Sequence, residues 1–382
     1  MRLEESWGLL DMNCKTYRLG DVINNFDKKR VPLSSMQRAN RQGQYRYFGA
    51  QGVIDYIDDY IFDGTYMLVA EDGENLKSKK QNIAQIVSGQ FWVNNHAHIL
   101  QVKGDFNLYY LCYLINSMDL SGYITGSAQP KLSQANLNAI TVELPDKEMQ
   151  DKIASFLQLF DKKIGTNEKI NDNLLQQAGA VFNKFYEESP NQQPFTSLVS
   201  VLGGGTPKTG NPDFWDGPIP FFTPKDVGTP YTFQTEKYIT ESGLTHCNSH
   251  LYQKDTTFVT ARGTVGKVSL AGTPMAMNQS CYALASETVD PLLVYFYVLK
   301  AVASLKHKAS GAVFDAIVTR DFDSETINIL SDDDSKKILS LIKPMMDTIH
   351  NNSQENMRLS TLRDSLLPKL MSGELDVSNL DI

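Results

Sequence analysis

From residue 153 the chain places apolar side chains at alternating steps of four and three. Ile153, Leu157, Phe160 and Ile164 are followed by Asn167 and Asn171, then by Leu174, Ala178, Val181 and Phe185. This spacing holds one narrow stripe on a helix wound at 3.5 residues per turn, the seam of a coiled coil rather than the broad face of a surface helix. It predicts a helix over 147–186, about 60 Å long at the usual rise per residue, closed by Pro190. A second seam with the same steps reads Ile338, Ile342, Met345, Ile349, Asn352, Asn356, Leu359, Arg363, Leu366 and Leu370. Pro344 and Pro368 fall inside it, and Pro344 is expected to kink this helix or delay its start.

The two seams are copies. A shift of 185 residues lays Ile153 on Ile338, Ile164 on Ile349, Asn167 on Asn352, Asn171 on Asn356 and Leu174 on Leu359. The same shift, without a gap, lays Leu132 on Ile317, Leu137 on Phe322, Val142 on Ile327, Leu144 on Ile329 and Gly126 on Gly311. It also superposes two apolar helices, DFNLYYLCYLINSM at 105–118 and DPLLVYFYVLKAVA at 290–303. Further upstream FDGTYMLVA (62–70) corresponds to KDTTFVTAR (254–262), and WVNNHAHIL (92–100) to MAMNQSCYA (275–283). Two copies of one unit is the architecture implied.

Asparagine at a seam position costs stability and fixes register. If the helices pair antiparallel, Asn167 faces Asn356 and Asn171 faces Asn352; the other reading is that all four are solvated breaks in a weak seam. Ahead of each helix, short strand-like runs (YMLVA, TTFVTA, YALAS, AITVELP, TINIL) alternate with helices and dense Gly, Pro and Asn punctuation. The expected fold class is therefore α+β. Two globular domains stand in tandem, 1–145 and 191–330. Each is followed by a long helix, over 146–190 and within 331–382, and the two helices pair as an antiparallel coiled coil about a pseudo-twofold axis.

Composition narrows the function. The net charge of −8 excludes a uniformly basic coat, so any nucleic-acid contact rests on local patches. Between Lys15 and Arg46 the basic residues Lys15, Arg18, Lys28, Lys29, Arg30, Arg38, Arg41 and Arg46 face only Asp21 and Asp27. From residue 76 to 103, Lys77, Lys79, Lys80 and Lys103 meet no acid. In the second copy Lys300, Lys306, Lys308 and Arg320 outnumber Asp315, and Arg262 and Lys267 flank a glycine turn. Basic loops on a compact unit suit phosphate contact combined with base reading. Candidate base readers are Arg38, Arg41 and Arg46 in the first unit, and Lys225, Arg262 and Lys267 in the second. The four cysteines lack a Cys-x-x-Cys pair and read as reduced thiols. The acidic opening MRLEESWGLLDMN lacks the order of a signal peptide, and the longest apolar runs are too short to span a bilayer. A cytoplasmic setting is expected.

Catalytic signatures fail on inspection. In GGGTPKTGNPDFW (203–215), aligning Lys208 and Thr209 with a phosphate loop puts Leu202 and Pro207 where glycines are needed. The NPDF run resembles an amino-methyltransferase clamp but has no companion glycine-rich cofactor loop. His96 and His98 on a strand, or His246 and His250 on a helix, would share a face, yet neither pair has a third ligand at metal spacing. No metal site is expected, and the chain reads as non-catalytic.

Four stretches together resemble the DNA-specificity subunits of type I restriction–modification systems: GGGTPKTGNPDFWDGPIPFFTPKDV (203–227), KDTTFVTARGTVGKV (254–268), MNQSCYAL (277–284) and SLLPKLMSGELDV (365–377). The resemblance is strong over 194–377 and weaker over 14–190, where the Gly-Gly-Gly-Thr-Pro opening is missing. It implies two target-recognition domains that read the halves of an asymmetric bipartite site. The helices would set the spacing and dock two methyltransferase (modification) subunits, with restriction/translocase subunits beyond. S-adenosylmethionine, ATP and Mg2+ would bind those partners and not this chain. The DNA-contacting residues implied are Lys28, Lys29, Arg30, Arg38, Arg41, Arg46, Lys77, Lys79, Lys80, Lys208, Lys225, Arg262, Lys267, Lys306, Lys308 and Arg320. Asn167, Asn171, Asn352 and Asn356 would set the helix register. The rival reading is a coiled-coil scaffold that binds protein and has no DNA specificity.

Overall fold

The computed structural model describes residues 13–127, 129–308, 316–377 and 380. The acidic opening segment, and Gly311 and Asp315 in the second copy, lie outside them. The chain divides into two compact units, residues 1–163 with 359–382, and residues 164–358.

In the first unit a six-stranded sheet runs Ile23–Asn25, Ala97–Val102, Phe62–Ala70, Ala84–Val93, Gln42–Gly49, Gly52–Ile57. All neighbours are antiparallel except Gln42–Gly49 beside Ala84–Val93. Separately, Lys15–Arg18 pairs with Thr141–Leu144. The second unit repeats this scheme with a break. Ser200–Gly203, Cys281–Ala285, Thr257–Thr260, Val268–Ala271 and Tyr231–Thr232 form one sheet; Lys237–Ile239, Trp215–Phe222 and Ala276–Met277 form another. The parallel pair recurs between Trp215–Phe222 and Ala276–Met277, and Gln192–Pro194 pairs with Thr326–Asn328. Each strand-like run singled out above lies in or across one of these strands.

The shift of 185 holds element by element. Helix Gln134–Ala139 maps to Thr319–Asp323, strand Thr141–Leu144 to Thr326–Asn328, and the start of the long helix Lys147–Glu188 to that of Asp332–Met371. The apolar helices Leu108–Ser117 and Pro291–Lys308 also correspond, and both are largely buried because their apolar residues surround the axis rather than forming a stripe. No helix of the described residues is long and apolar enough to cross a membrane.

Each core draws on both long helices. In the first unit, Ile153, Ala154 and Leu157 of the central helix join Leu367, Leu370 and Val377 beneath Leu19, Met67, Leu111 and Ile115. In the second, Ala178 and Phe182 of the central helix join Ile338, Ile342, Met346 and Ile349 beneath Phe195, Leu270, Tyr297 and Phe322. At about 1.5–3 kcal/mol for each fully buried large apolar side chain, these helix contacts are a substantial share of each unit's stability.

Pro344 does not delay the start of its helix, one of the two outcomes expected of it. The helix starts at Asp332 and runs through Pro344 and Pro368 to Met371. Both prolines, and Ser340 and Asp364 four residues before them, are exposed, so each carbonyl left without a helical donor faces water. Burial of Ile338, Ile342, Met346 and Ile349 on the other side holds the first prolyl segment in place.

Within the second unit the asparagines pair across the seam. Asn167 Nδ2 donates to Asn356 Oδ1 at 2.8 Å and to Glu355 Oε2 at 2.7 Å. Asn352 Nδ2 donates to Asn171 Oδ1 at 2.9 Å, and Asn171 Nδ2 to Ser353 Oγ at 3.3 Å. Asn167 is 1% exposed, so its amide depends on these acceptors. Asn167→Leu alone leaves the Asn356 amide facing an apolar group and should cost about 1–3 kcal/mol. Asn167→Leu with Asn356→Leu should recover most of that loss. A double-mutant cycle by chemical denaturation checks this; strictly additive effects would show that the two amides do not interact.

Candidate nucleic-acid interface

The glycine-rich stretch at 203–215 is a packing device. A Cβ on Gly204 would stand 2.2 Å from the Asn278 carbonyl oxygen, and one on Gly205 2.5 Å from the Asn248 nitrogen, so only glycine lets these backbones approach. Asn211 caps the short turn Pro212–Phe214 by accepting from the Asp213 N–H, Phe214 stacks on His246, and Trp215 Nε1 donates to the Lys208 carbonyl at 3.4 Å.

This packing fixes one rim of a cleft of about 470 Å³ in the second unit. Lys225, Lys237 and Arg262 bring positive charge to it, Thr223, Thr264, Asn278 and Ser280 bring hydrogen-bonding groups, and Glu236 is the acid beside them. Lys225 is 80% exposed and only 3.9 Å from Glu236, a weak pairing that leaves its charge largely available. Lys237 pairs in register with Phe221 and lies 5.5 Å over the Trp215 ring. It was not among the sequence candidates, because the adjacent Glu236 cancels it in any running charge tally. Only its strand register, opposite Phe221, places it at the cleft.

The other second-unit candidates divide. Lys208, Lys267 and Arg320 are exposed. Lys306 Nζ donates to the Gly266 carbonyl at 2.6 Å, bracing the glycine turn from below; burial, then the charge of Lys267, lowers its pKa. Lys308 pairs at 2.6 Å with Glu325, which is 2% exposed.

In the first unit three arginines of the basic cluster, Arg30, Arg38 and Arg41, are neutralised internally. Arg38 meets Asp55 at 2.8 Å and lies over Tyr47; Arg41 meets Asp58 at 2.9 Å and lies over Trp92. Arg46 donates to the Ser88 carbonyl at 2.6 Å and covers Phe48. Lys77 donates to the carbonyls of Gly126 and Ser127, and Lys79 to that of Met118, so both hold loops. Lys28, Lys29 and Lys80 are exposed, with Lys29 over the Phe26 ring.

Arg30 belongs to a buried network. Its guanidinium reaches Glu71 Oε2 at 2.6 Å and Asp27 Oδ2 at 3.6 Å, while His98 Nδ1 is 2.6 Å from Asp27 Oδ2 and His98 Nε2 is 2.8 Å from the Leu132 carbonyl. Asp27, Glu71 and His98 bring ligand-type atoms within 4.8 Å of one another. Arg30, however, takes the Glu71 oxygen a cation would need, so the donor set suits a charge network. Burial pushes both carboxyls up, but His98, Asn25 and the Ile99 N–H outweigh it at Asp27, and Arg30, His98 and Lys131 do so at Glu71; both end below the ordinary carboxylate range.

The histidine pairs do not share faces as expected. His96 sits in the turn ahead of Ala97–Val102 and meets Asp72 at 2.7 Å, whereas His98 is on that strand and buried. His246 caps the end of Glu241–Thr245, and His250 lies beyond that helix.

Two family-model matches cover most of the chain: the type I restriction modification DNA specificity domain, over residues 12–176 and 195–360. A putative type I restriction enzyme specificity subunit from Haemophilus influenzae is 31% identical over 139 residues, 36% of this chain and 35% of that relative. The HindI type I restriction enzyme specificity subunit of the same organism is 22% identical, covering 93% of each chain. The chain thus aligns with little more than a third of the length of the first curated relatives it matches. In structure, the S subunit of a Mycoplasma genitalium type I restriction–modification system matches over 98% of both chains with a TM-score of 0.56 and 12% identity, a likeness of fold.

The Asp27 and Glu71 carboxyls make the first unit acid-labile. Their folded pKa values lie below the unfolded ones, so the stabilisation is complete above the unfolded carboxylate values of about 4 and is lost as pH falls through the folded ones. Asp27→Asn should lower the melting temperature at pH 7 and flatten its fall as the pH drops below the ordinary carboxylate range. Parallel pH profiles for wild type and variant would show the network to be unimportant.

Proposed function

The chain belongs to the family of type I restriction modification DNA specificity domains, and on that premise we propose that it selects the DNA site for a type I restriction–modification complex. Each unit reads one half of a bipartite, asymmetric sequence. The long helices hold the halves apart and dock the methyltransferase subunits, of which the duplication suggests two, with restriction/translocase subunits joining them. The complex works in the cytoplasm, where its DNA lies. S-adenosylmethionine, ATP and Mg2+ are bound by the partners, and this chain is not itself an enzyme.

The observation that carries this reading is one fold presented twice with different surfaces. Strand connectivity repeats between the units, yet the second unit has a cationic cleft and the first has its arginines tied to carboxylates and carbonyls. Two copies of one scaffold with unlike surfaces suit a target whose halves differ. A protein-binding scaffold would have no use for a net-positive cleft in a chain of charge −8.

Lys225→Ala and Lys237→Ala should each weaken DNA binding on all sequences and flatten the dependence of log K on log salt by about 0.9. Fluorescence anisotropy over a salt series measures this; an unchanged slope would remove the cleft from the interface. Exchanging residues 14–145 for the matching unit of a relative should change one half of the sequence methylated in cells carrying the methyltransferase partner. A swap that altered both halves would refute separate reading. Titration calorimetry should detect neither S-adenosylmethionine nor ATP binding to the isolated chain.

A further inference from the structure

The units share a backbone corner that is built identically and dressed differently. In the first, Asn94 N–H donates to the Phe48 carbonyl, His96 N–H to Asn94 Oδ1, Glu71 N–H to the His96 carbonyl and Leu132 N–H to the Glu71 carbonyl. In the second, Asn278 N–H donates to the Phe222 carbonyl, Ser280 N–H to Asn278 Oδ1, Ala261 N–H to the Ser280 carbonyl and Ile317 N–H to the Ala261 carbonyl. A bridge closes each corner, Asp72 with Lys131 and Arg262 with Ala316, and a left-handed glycine follows, Gly73 and Gly263. Arg262 therefore stands where Asp72 stands in the other copy, and Ser280 where His96 stands.

The backbone makes every bond that shapes the corner, apart from one asparagine side chain in each copy. The exposed side chains are left to vary. Arg262 borders the cationic cleft, is exposed, and has no side-chain hydrogen bond or ion pair to the described residues. Its counterpart is a pair: His96, with 46% of its side chain exposed, donates or accepts through Nδ1 at 2.7 Å from Asp72. Gln51, in the turn between Gln42–Gly49 and Gly52–Ile57, brings its amide nitrogen to 4.0 Å from where a Cβ on Gly73 would be.

We propose that this corner is the base-discriminating position of each unit, an inference that rests on the function proposed above. In the second unit the free guanidinium fork of Arg262 matches the two acceptors, O6 and N7, on the major-groove edge of guanine. In the first, His96 Nδ1–H donates to Asp72, and the neutral ring then presents Nε2 as an acceptor. Nε2 matches the exocyclic amino group of adenine or cytosine, and Gln51 lies beside it to add an amide contact. The arginines Arg38 and Arg41, held by carboxylates, are positioning residues for the neighbouring hairpin.

The test uses the full chain together with a type I methyltransferase partner and maps the DNA motif methylated in cells. Arg262→Gln should reduce preference at one position of one half-site by about ten- to a hundredfold and leave the other half-site unchanged. His96→Gln should shift preference at one position of the opposite half-site only. Arg262 is exposed and lacks a side-chain partner among the described residues, so its replacement leaves the fold intact and that arm remains decisive even if the His96 variant is unstable. If both variants methylate the wild-type motif with wild-type selectivity, the corner does not read bases, while the wild-type motif still upholds the proposed function. A wild-type chain that confers no bipartite motif would overturn both.

Discussion

Neither globular part closes its core with its own consecutive sequence. Leu19, Met67 and Leu111 in the first unit are covered by Ile153 and Leu157, which follow directly, and by Leu367 and Leu370, which come from the far end of the chain. The second unit takes Phe182 from the helix that precedes it and Ile338 and Ile349 from the helix that follows. Everything else depends on this lending of helix ends. It requires each long helix to run unbroken, and Pro344 is admitted on an exposed face where its missing donor leaves a carbonyl to water. It also explains why a polar layer is tolerated in the middle of the seam. Asn167, Asn171, Asn352 and Asn356 lie among the residues that must not slide if both sets of helix ends are to reach their pockets.

The fold was legible to the extent that its signals were local. Heptad spacing depends on residues three and four apart, so the helix over 147–186 was placed within two residues of Lys147–Glu188, and the opposed asparagines followed from antiparallel arithmetic. The repeat was legible because apolar periodicity survives where identity does not. The long-range charge pairing was not. Arg38 finds Asp55 seventeen positions on, and Arg30 finds Glu71 forty-one positions on, across strands whose register no local pattern specifies. A count of basic residues along the chain therefore marked Arg30, Arg38 and Arg41 as free cations, although the fold surrounds each with acceptors. Lys237 was hidden by the opposite effect, a neighbouring acid in sequence, Glu236, that cancels it in any running count of charge.

The two units also differ in how they organise ionisable groups. The first buries a carboxylate–imidazole–guanidinium network in which every member has an opposite charge or a backbone dipole facing it, an arrangement that gives directionality at little net stabilisation. The second has Ala261 where the first has Glu71, and at this corner its charge, Arg262, stays outside at the cleft. One backbone scheme thus supports an inward-facing and an outward-facing set of polar side chains. Surface chemistry can diverge between the copies because the hydrogen bonds that define the strands do not involve it.

The lending of helix ends also shapes how the protein is made. Leu367, Leu370 and Val377 enter the first unit's core about two hundred residues after Leu157 leaves the ribosome. At about 5–20 residues per second, the first unit waits roughly ten to forty seconds with that apolar face uncovered. The second unit suffers no such delay relative to its own end, since residues 164–358 are contiguous. Synthesis therefore finishes the second unit before the first, against the order of the chain. During that interval a face built to receive one segment of this protein is open to any other amphipathic helix nearby, including the corresponding helix of a second nascent copy. Residues 367–377 act as the closing piece of the first unit's core, although they are the last of it to be made.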